Sequence, residues 1–330
     1  MFEGFANVWT PVVPSRSLRK KPLATRLAGE SLALFRDAEG RARALIDRCP
    51  HRGVALSQGR VTEDGCLECP FHAWRFNGDG DCVKIPLNEI PAERRARYDA
   101  TALPTREVAG LIWVFTGLDA RGTEPAPPDA LIEPGWSRWV HMETWNTHWT
   151  RAMENMLDSP HVPFLHRRTI GRGLRARLRD DSVMKIWTDE TPTGWTLSWE
   201  MEEKRFERAL EFRRPNAMAL YITEGKFAMR QHLFCIPEDA THVRMLLLST
   251  RRFLRYNPLG WLADQFNRLV LLEDRSVVES SRPMEVPHAA DEASVATDGP
   301  TLAFRKYYLR ELRGSSGATV PAERLATRGA

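Results

Sequence analysis

Hydrophobic and polar residues alternate in short segments along the first 118 residues, and turn residues separate these segments. This pattern, bounded by Gly, Pro, Asn and Asp, is typical of β-strands. Strands are expected at Val8–Val13, Ser31–Arg36, Arg43–Asp47 and Leu111–Thr116, and on either side of His72. Residues 1–118 are therefore predicted to form a small all-β module.

A second pattern begins beyond residues 119–130, where proline and glycine density marks a linker. Strands are expected at Arg138–Thr144, Ser182–Thr188, Trp195–Glu203, Ala217–Thr223, Lys226–Ile236 and His242–Arg252. Helices are expected at Asn146–Leu157 and Leu259–Ser281, the second after the start signal Asn257-Pro258. A run of strands flanked by helices predicts an antiparallel α+β domain over residues 131–313. The small, polar residues 314–330 predict a flexible tail.

Composition excludes several classes of function. The chain is 42% hydrophobic and 27% charged, with a net charge of +4 that is too small to indicate nucleic-acid binding. No apolar run approaches the roughly 20 residues of a membrane span. The N-terminus lacks the basic and apolar regions of a secretory signal, and there are only five cysteines. A cytoplasmic protein with no membrane partner is expected.

Two cysteines and two histidines in the first module alternate in Cys-x-His and Cys-x-x-His order. They are Cys49, His51, Cys69 and His72. A Rieske [2Fe-2S] cluster has two thiolates on one iron and two imidazoles on the other. Structural zinc uses the same ligand types, but usually pairs Cys with Cys and His with His. Because each arm here mixes the two types, we favour the iron–sulfur cluster over zinc and interpret the nearby Cys66 as a plain thiol.

Two histidines five positions apart, His161 and His166, follow the first predicted helix. A regular helix would separate them by about 140°. Pro160 and Pro163 predict a local break that can turn both imidazoles toward one ion. The pair alone is a weak indication, because such spacing is common without any metal.

A carboxylate would complete a 2-His-1-carboxylate site, which leaves open positions on Fe(II). Asp274 lies on an apolar face of the long predicted helix, near Val270 and Val278. Glu273 is a rival, although Ser276 lies on one of its sides. The pattern favours Asp274 only slightly, and the alternative is an acid paired with an arginine at the surface.

An arginine-rich segment follows the histidine pair. It contains Arg167, Arg168, Arg172, Arg175, Arg177 and Arg179. A solvated loop is the default interpretation of such a run. A docking surface for an acidic electron-transfer partner is the alternative, and we favour the solvated loop.

Taken together, these motifs resemble those of the Rieske non-haem iron oxygenases. The chain is most similar to the oxygenase component (α subunit) of the branch that includes vanillate O-demethylase and dicamba monooxygenase, over nearly its whole length. The family's Asn-x-x-Asp-x-x-His-x4-His element is present as Asn155, Asp158, His161 and His166. The family's carboxylate ligand matches Asp274. Many relatives have glycine where this chain has Ala73, and we expect an adjusted loop around an intact cluster.

The resemblance implies a Rieske domain followed by a helix-grip catalytic domain. It implies a [2Fe-2S] cluster on Cys49, His51, Cys69 and His72, and Fe(II) on His161, His166 and Asp274. It further implies homotrimers in which Asp158 connects the cluster of a neighbouring subunit to His161, with Asn155 near the iron. Electrons from NAD(P)H would arrive through a flavin reductase, a ferredoxin, or both.

The implied reaction uses O2 to hydroxylate or O/N-demethylate a mostly apolar, ring-containing small molecule, and the short chain favours a monooxygenase over a dioxygenase. Ring cis-dihydroxylation and desaturation are alternatives, as is an electron-transfer or redox-sensing protein with an inactive second iron site. For the substrate pocket, alternation in the strand predicted at Lys226–Ile236 places Phe227, Met229 and Gln231 on one face. A satisfied core amide is the alternative interpretation of Gln231.

Overall fold

The computed structural model describes residues 1–89, 92–253 and 259–314. The strands of the first module are β1 Trp9–Pro14, β2 Leu23–Leu27, β3 Glu30–Arg36, β4 Ala42–Ile46, β5 Arg60–Val61, β6 Leu67–Glu68, β7 Arg75–Phe76, β8 Cys82–Lys84, β9 Ala102–Leu103, β10 Thr105–Val108 and β11 Leu111–Phe115. They form three antiparallel sheets, ordered β1-β11-β10, β2-β3-β4-β9 and β5-β6-β7-β8. The predicted all-β module is confirmed.

A seven-stranded antiparallel sheet dominates the second part of the chain. Its strands are β12 Ser137–Trp145, β13 Lys185–Thr191, β14 Gly194–Met201, β15 Lys204–Arg213, β16 Ala217–Thr223, β17 Met229–Pro237 and β18 Val243–Arg251. Their order is β12-β18-β17-β16-β15-β14-β13. The central strands β17 and β18 pair along their full length, from Met229 opposite Arg251 to Pro237 opposite Val243.

Helices cover one face of this sheet, which confirms the predicted α+β class. They are α1 Trp149–Leu157, α2 Val162–Leu165, α3 Arg172–Arg175, α4 Leu259–Val278 and α5 Gly299–Tyr307, followed by a π-helical segment, Tyr308–Arg313. The expected start signal Asn257-Pro258 and residues 315–330 of the expected tail lie outside the described residues. Among the helices that the structure describes, none is long and apolar enough to cross a membrane.

One hydrophobic core runs from Phe2 to Leu312 and includes side chains of both parts of the chain. At the junction, the rings of Trp113 and Phe234 meet edge to face at 5.6 Å. Both faces of β17 are therefore buried, one by helices and the other by the first module. A second, smaller core lies beneath the β5–β8 sheet. The last strand of the three small sheets ends at Phe115, and the first strand of the large sheet begins at Ser137. The exact domain boundaries stay a prediction.

The sequence pattern did not predict β15, because its first half is charged and exposed. This half pairs with β14, where Phe206 lies opposite Trp199. Aromatic contacts stabilise it there: Phe206 stacks on Trp199 with ring centroids 4.1 Å apart, and the Arg205 guanidinium lies 4.7 Å from the centroid of the Trp187 ring.

Helix α5 was also not predicted, and a buried ionic network fixes it against α1. Arg305 donates to Glu154 of α1 and, at 2.6 Å, to Glu292. Arg151 of α1 donates to the same two acids, at 3.0 Å to Glu154 and 2.6 Å to Glu292. Because α1 leads directly into residues 158–166, this network supports the segment that carries the candidate histidines.

Replacing Arg305 by alanine is expected to lower the free energy of unfolding by about 3 kcal/mol, because it leaves a buried carboxylate short of a partner. Urea unfolding of the metal-loaded protein, followed by circular dichroism, measures the change. Arg179→Ala is the matched control, since Arg179 is 71% exposed in its pair with Glu202 and should contribute less than about 1 kcal/mol. Equal stability of the two variants would contradict the prediction.

Candidate metal centres

Two tight turns carry the Cys and His residues of the first candidate centre. After β4, the Gly53 amide donates to the Cys49 carbonyl at 2.8 Å, and Gly53 has a φ of +74°. Between β6 and β7, the Ala73 amide donates to the Cys69 carbonyl at 3.1 Å, and Ala73 has a φ of +54°. Ala73 thus adopts a left-handed backbone conformation, which is easier for glycine than for alanine because glycine has no Cβ atom. With alanine at this position the turn still forms, closed by the hydrogen bond from Ala73 to Cys69.

The side chains on these turns face one another. Cys49 and Cys69 are buried and form no disulfide, and burial raises the pKa of the Cys49 thiol to about 11. His51 Nδ1 lies 3.1 Å from His72 Nδ1, and the Trp74 ring stacks on His51 with centroids 4.7 Å apart. Two buried thiols behind two converging ring nitrogens fit the donor set of a Rieske [2Fe-2S] cluster.

The second candidate centre forms where α1 ends. Asp158 has an extended backbone that stops α1 after Leu157, and α2 starts after His161 with a proline in its first turn. A break at this place was predicted from Pro160 and Pro163. It brings His161 Nε2 to 3.2 Å from His166 Nε2. Helix α4 supplies the carboxylate: Asp274 Oδ1 lies 3.1 Å from His166 Nε2 and 3.4 Å from His161 Nε2.

The buried carboxylate of Asp274 is the observation that fits a metal ion. Its side chain is 7% exposed, and Oδ1 makes no well-formed hydrogen bond within the described part of the chain. The ligand atoms of His161, His166 and Asp274 all lie within 4.8 Å of one another, which is close enough to hold one metal ion. Three ligand-type atoms crowd together here in a largely buried place, and a cation bound among them would satisfy the carboxylate and both ring nitrogens at once. The set fits Fe(II) with open coordination positions.

Each of the two imidazoles has a further carboxylate, other than Asp274, against its outer nitrogen Nδ1. Asp158 Oδ2 lies 3.3 Å from His161 Nδ1. Glu273 Oε2 lies 2.7 Å from His166 Nδ1 and accepts a hydrogen bond from the Thr169 hydroxyl at 2.7 Å. Such partners fix the ring orientation and raise ligand basicity. Burial lowers the pKa of His161, but the carboxylates of Asp158 and Asp274 outweigh it and raise the pKa to about 9. The negative surroundings favour a cation.

Glu273, the rival candidate for the metal ligand, thus contacts the outer nitrogen Nδ1 of His166, whereas Asp274 contacts the inner nitrogen Nε2. From the sequence, Glu273 was expected only as an alternative ligand, and no role was predicted for Thr169. The one feature of the sequence that could have indicated this role is a hydroxyl residue, Thr169, three positions after His166. Asn155, in the last turn of α1, has a buried Nδ2 with no partner among the described residues. The ligand and catalytic assignments stay predictions.

The predicted substrate residues do not all share one strand. Because β17 begins at Met229, the expected strand over Lys226–Ile236 is wrong at its start: Phe227 lies in a 3₁₀ turn and is 58% exposed. Gly225, at a φ of +69°, bends the chain there. Gln231 is buried in β17, and its Nε2 donates to Ser249 Oγ at 3.1 Å. The alternative interpretation was a core amide with its hydrogen bonds satisfied. Only the Nε2 side of the amide fits it, because Gln231 Oε1 has no hydrogen-bond partner within the described residues.

Replacing Glu273 by alanine is expected to weaken Fe(II) binding about 10- to 100-fold without abolishing it, because His166 loses its orienting partner while all three ligands stay. Anaerobic titration of Fe(II) into chelator-treated protein measures the affinity. The control Glu273→Gln keeps an accepting oxygen and should lose less. Wild-type affinity in Glu273→Ala would contradict the role.

Comparison with known families matches both parts of the chain. Residues 8–94 match the Rieske [2Fe-2S] domain, and residues 145–313, just over half of the chain, match the Vanillate O-demethylase oxygenase C-terminal domain. All four residues of the first centre fall within the first match. The three converging residues of the second centre fall within the second.

Individual relatives agree with these matches. Methylxanthine N1-demethylase NdmA of Pseudomonas putida is 28% identical over an alignment 335 residues long, gaps included, which covers 94% of this chain and 90% of that protein. A structure of Pseudomonas putida CBB5 NdmA superposes with a TM-score of 0.77 at 25% identity, covering 94% of this chain and 91% of that one. Dicamba monooxygenase bound to dicamba has the same fold, with a TM-score of 0.75 at 22% identity, covering 94% of this chain and 98% of that one.

Other curated relatives match over shorter stretches. Chlorophyllide a oxygenase of Chlamydomonas reinhardtii is 39% identical over 175 residues, which cover 52% of this chain and 26% of that protein. The 3-chlorobenzoate-3,4-dioxygenase oxygenase subunit of Comamonas testosteroni is 33% identical over 189 residues, 56% of this chain and 42% of that protein. The chain therefore spans less than half the length of these two relatives.

Proposed function

Since the chain belongs to the Rieske non-haem iron oxygenases, as its two matched domains show, we propose that it is the oxygenase component of a multicomponent monooxygenase. The convergence of the ring nitrogens of His161 and His166 on a buried oxygen of Asp274 carries this proposal. A protein that only carried electrons or sensed redox state would have no use for such a site. The intact ligand set therefore disfavours that alternative.

We assign the [2Fe-2S] cluster to Cys49, His51, Cys69 and His72, and Fe(II) to His161, His166 and Asp274. When bound, the cluster transfers single electrons and the mononuclear iron activates dioxygen.

The surrounding residues orient and enclose the second site. Asp158 and Glu273 each fix the plane of one imidazole through its outer nitrogen. Asp274 presents one oxygen to both rings, 3.1 Å from His166 Nε2 and 3.4 Å from His161 Nε2. Asn155 lies one turn before Asp158, and its buried Nδ2 has no partner among the described residues; we keep it as an expected residue of the catalytic site. Burial of Asp274 and His166 keeps bulk water from the protein side of the site.

The proposed reaction is hydroxylation or O/N-demethylation of a mostly apolar, ring-containing small molecule, with Phe227, Met229 and Gln231 as expected substrate contacts. The match to a methylxanthine N1-demethylase over most of both chains supports this class. Ring dihydroxylation and desaturation stay alternatives, since relatives named 3-chlorobenzoate-3,4-dioxygenase and cholesterol 7-desaturase match shorter stretches.

Electrons would reach the chain from NAD(P)H through a flavin reductase, a ferredoxin, or both. We propose a homotrimer in which Asp158 contacts a cluster histidine of the neighbouring subunit. In support, the Asp158 side chain is 31% exposed although one of its oxygens lies against His161, and His72 is exposed. All five cysteines are free, which suits the reducing cytoplasm.

Iron and acid-labile sulfide counts in anaerobically prepared protein test the proposal. The wild type should hold about three irons and two sulfides per chain, and His161→Ala about two of each, because only the mononuclear site loses a ligand. Two irons in both proteins would overturn the oxygenase assignment in favour of an electron carrier.

A further inference from the structure

A cleft of about 280 Å³ lies at the junction between the first module and the large sheet. Its walls come from β1 and β11, from residues 123–128 of the segment that follows the first module, and from β15, β16, β17 and α5. None of the residues that line it belongs to either candidate metal centre. Small-molecule sites often occupy clefts between domains and measure about 300 to 1,000 Å³. This cleft is close to the lower end of that range and has room for a compound with one ring.

One side of the cleft is an aromatic wall, which consists of Trp9, Trp113, Phe115, Phe234 and Tyr307. The ring centroids lie 5.5 Å apart for Trp9 and Phe115, and 5.6 Å apart for Trp113 and Phe234. The five side chains are 3% to 8% exposed, so packing on their other sides holds the rings in place. A fixed wall of aromatic rings is complementary to a flat aromatic ligand.

The charged side chains of the cleft differ in how well they are paired. Those that line it are Glu124, Arg213 and Arg214. Both oxygens of Glu124 accept hydrogen bonds from Arg106, at 2.7 and 2.8 Å. Arg213 donates to Glu211 at 2.8 Å. These two charges are therefore neutralised by their neighbours, and only Arg214 is left to attract a charged ligand.

Arg214 is positioned at the cleft without a close acidic partner. Its guanidinium lies 5.5 Å from the centroid of the Tyr307 ring, which belongs to the aromatic wall. The Arg214 side chain is 36% exposed, so solutes can reach it. The acid within 4 Å of it among the described residues, Glu190, is 3.8 Å away and 79% exposed, which makes a weak pair. A guanidinium in this state can donate two parallel hydrogen bonds to a carboxylate.

We propose that this cleft binds a single-ring aromatic carboxylate, with its ring against the aromatic wall and its carboxylate on Arg214. The site is separate from the candidate iron site, and the inference does not depend on the proposed oxygenase function. Because the walls come from both parts of the chain and from the segment between them, a bound acid holds all three together.

Calorimetric titration of the iron-loaded, anaerobic protein with benzoate, benzamide and benzylamine tests the proposal. The three probes share one ring and differ in charge. We expect benzoate to bind at least about fivefold more tightly than either of the others, because only the carboxylate pairs with a guanidinium. Failure of benzoate to bind, equal binding of benzamide, or tighter binding of benzylamine would each overturn the proposal.

Two variants locate the binding at the cleft. Arg214→Gln removes the cation, and Ala126→Trp adds bulk at an exposed position of the lining. Each should weaken benzoate binding at least about fivefold. Arg252→Gln is the matched control, because the Arg252 guanidinium also lies over an aromatic ring, 4.8 Å from the centroid of Trp136, but outside the cleft. This control should bind benzoate as the wild type does.

The variant His161→Ala separates the cleft from the iron site. It should lack the mononuclear iron and still bind benzoate with wild-type affinity. Loss of benzoate binding in His161→Ala or in Arg252→Gln would overturn the proposal, as would wild-type affinity in Arg214→Gln or Ala126→Trp. Iron counts on the same samples decide the oxygenase function independently, so failure of one proposal leaves the other standing.

Discussion

Replacing Asp274 by alanine is expected to remove the mononuclear iron and to lower turnover at least about 100-fold, while the two irons of the cluster stay. Asp274 is the acid whose oxygen lies within 3.4 Å of both inner ring nitrogens. Without it, two imidazoles alone must hold the ion, and two neutral ligands do not offset the charge of Fe(II) in a buried site. Iron per chain, counted before and after desalting, measures the loss.

The matched comparison for this prediction is Glu273→Ala on the neighbouring position of α4. Glu273 contacts the outer nitrogen of His166, so at saturating Fe(II) this variant should retain the third iron. The reverse pattern, in which Glu273→Ala loses the iron and Asp274→Ala keeps it, would show that the wrong acid has been assigned as ligand.

Replacing Asp158 by asparagine is expected to keep all iron and yet to lower turnover about 100-fold. The carboxylate of Asp158 contacts His161 Nδ1 and is still partly exposed, so it can connect the buried site to a cluster histidine of another subunit. An amide has the same shape but lacks the negative charge that holds an imidazole N–H on each side. The step affected is therefore electron delivery rather than metal binding.

The rate at which a chemically reduced cluster is reoxidised by O2, followed by its visible absorbance, separates electron delivery from the later chemistry. We expect this rate to fall in parallel with turnover in Asp158→Asn. Asp181→Asn is the control, because the Asp181 side chain is 90% exposed. A wild-type reoxidation rate in Asp158→Asn would eliminate the bridging role.

The first centre was predictable from sequence because its ligands occupy two short loops with a fixed order of residue types. The break between His161 and His166 was also local, and the prolines that cause it are visible in the sequence. Asp274 was harder to select, because it lies more than a hundred positions away in the chain. Only the apolar residues near it indicated burial, and they favoured it over Glu273 by a small margin.

What the sequence did not predict depends on contacts between distant elements. The charged first half of β15 is exposed, and it forms a strand through its pairing with β14 and the contacts of Phe206 and Arg205 with aromatic rings of the same sheet. Helix α5 is fixed by the pairing of Arg305 with acids of other segments. Gln231 illustrates the same limit: alternation placed it on a face of its strand, but only the fold shows Asn267 of α4 meeting the same Ser249 hydroxyl.

The separation of the two hydrophobic cores has a consequence for exchanging parts between relatives. The cluster-bearing turns rest on their own small core, which includes Phe35, Leu56 and Phe76. The rest of the first module shares a core with the large sheet, where Trp113 meets Phe234. A graft of the cluster-bearing turns alone would therefore have to fit only the side chains of this small core, including Phe35 of β3, and would leave the core shared with β17 unchanged. A graft of the whole module would instead place foreign side chains against β17 and disturb the catalytic domain.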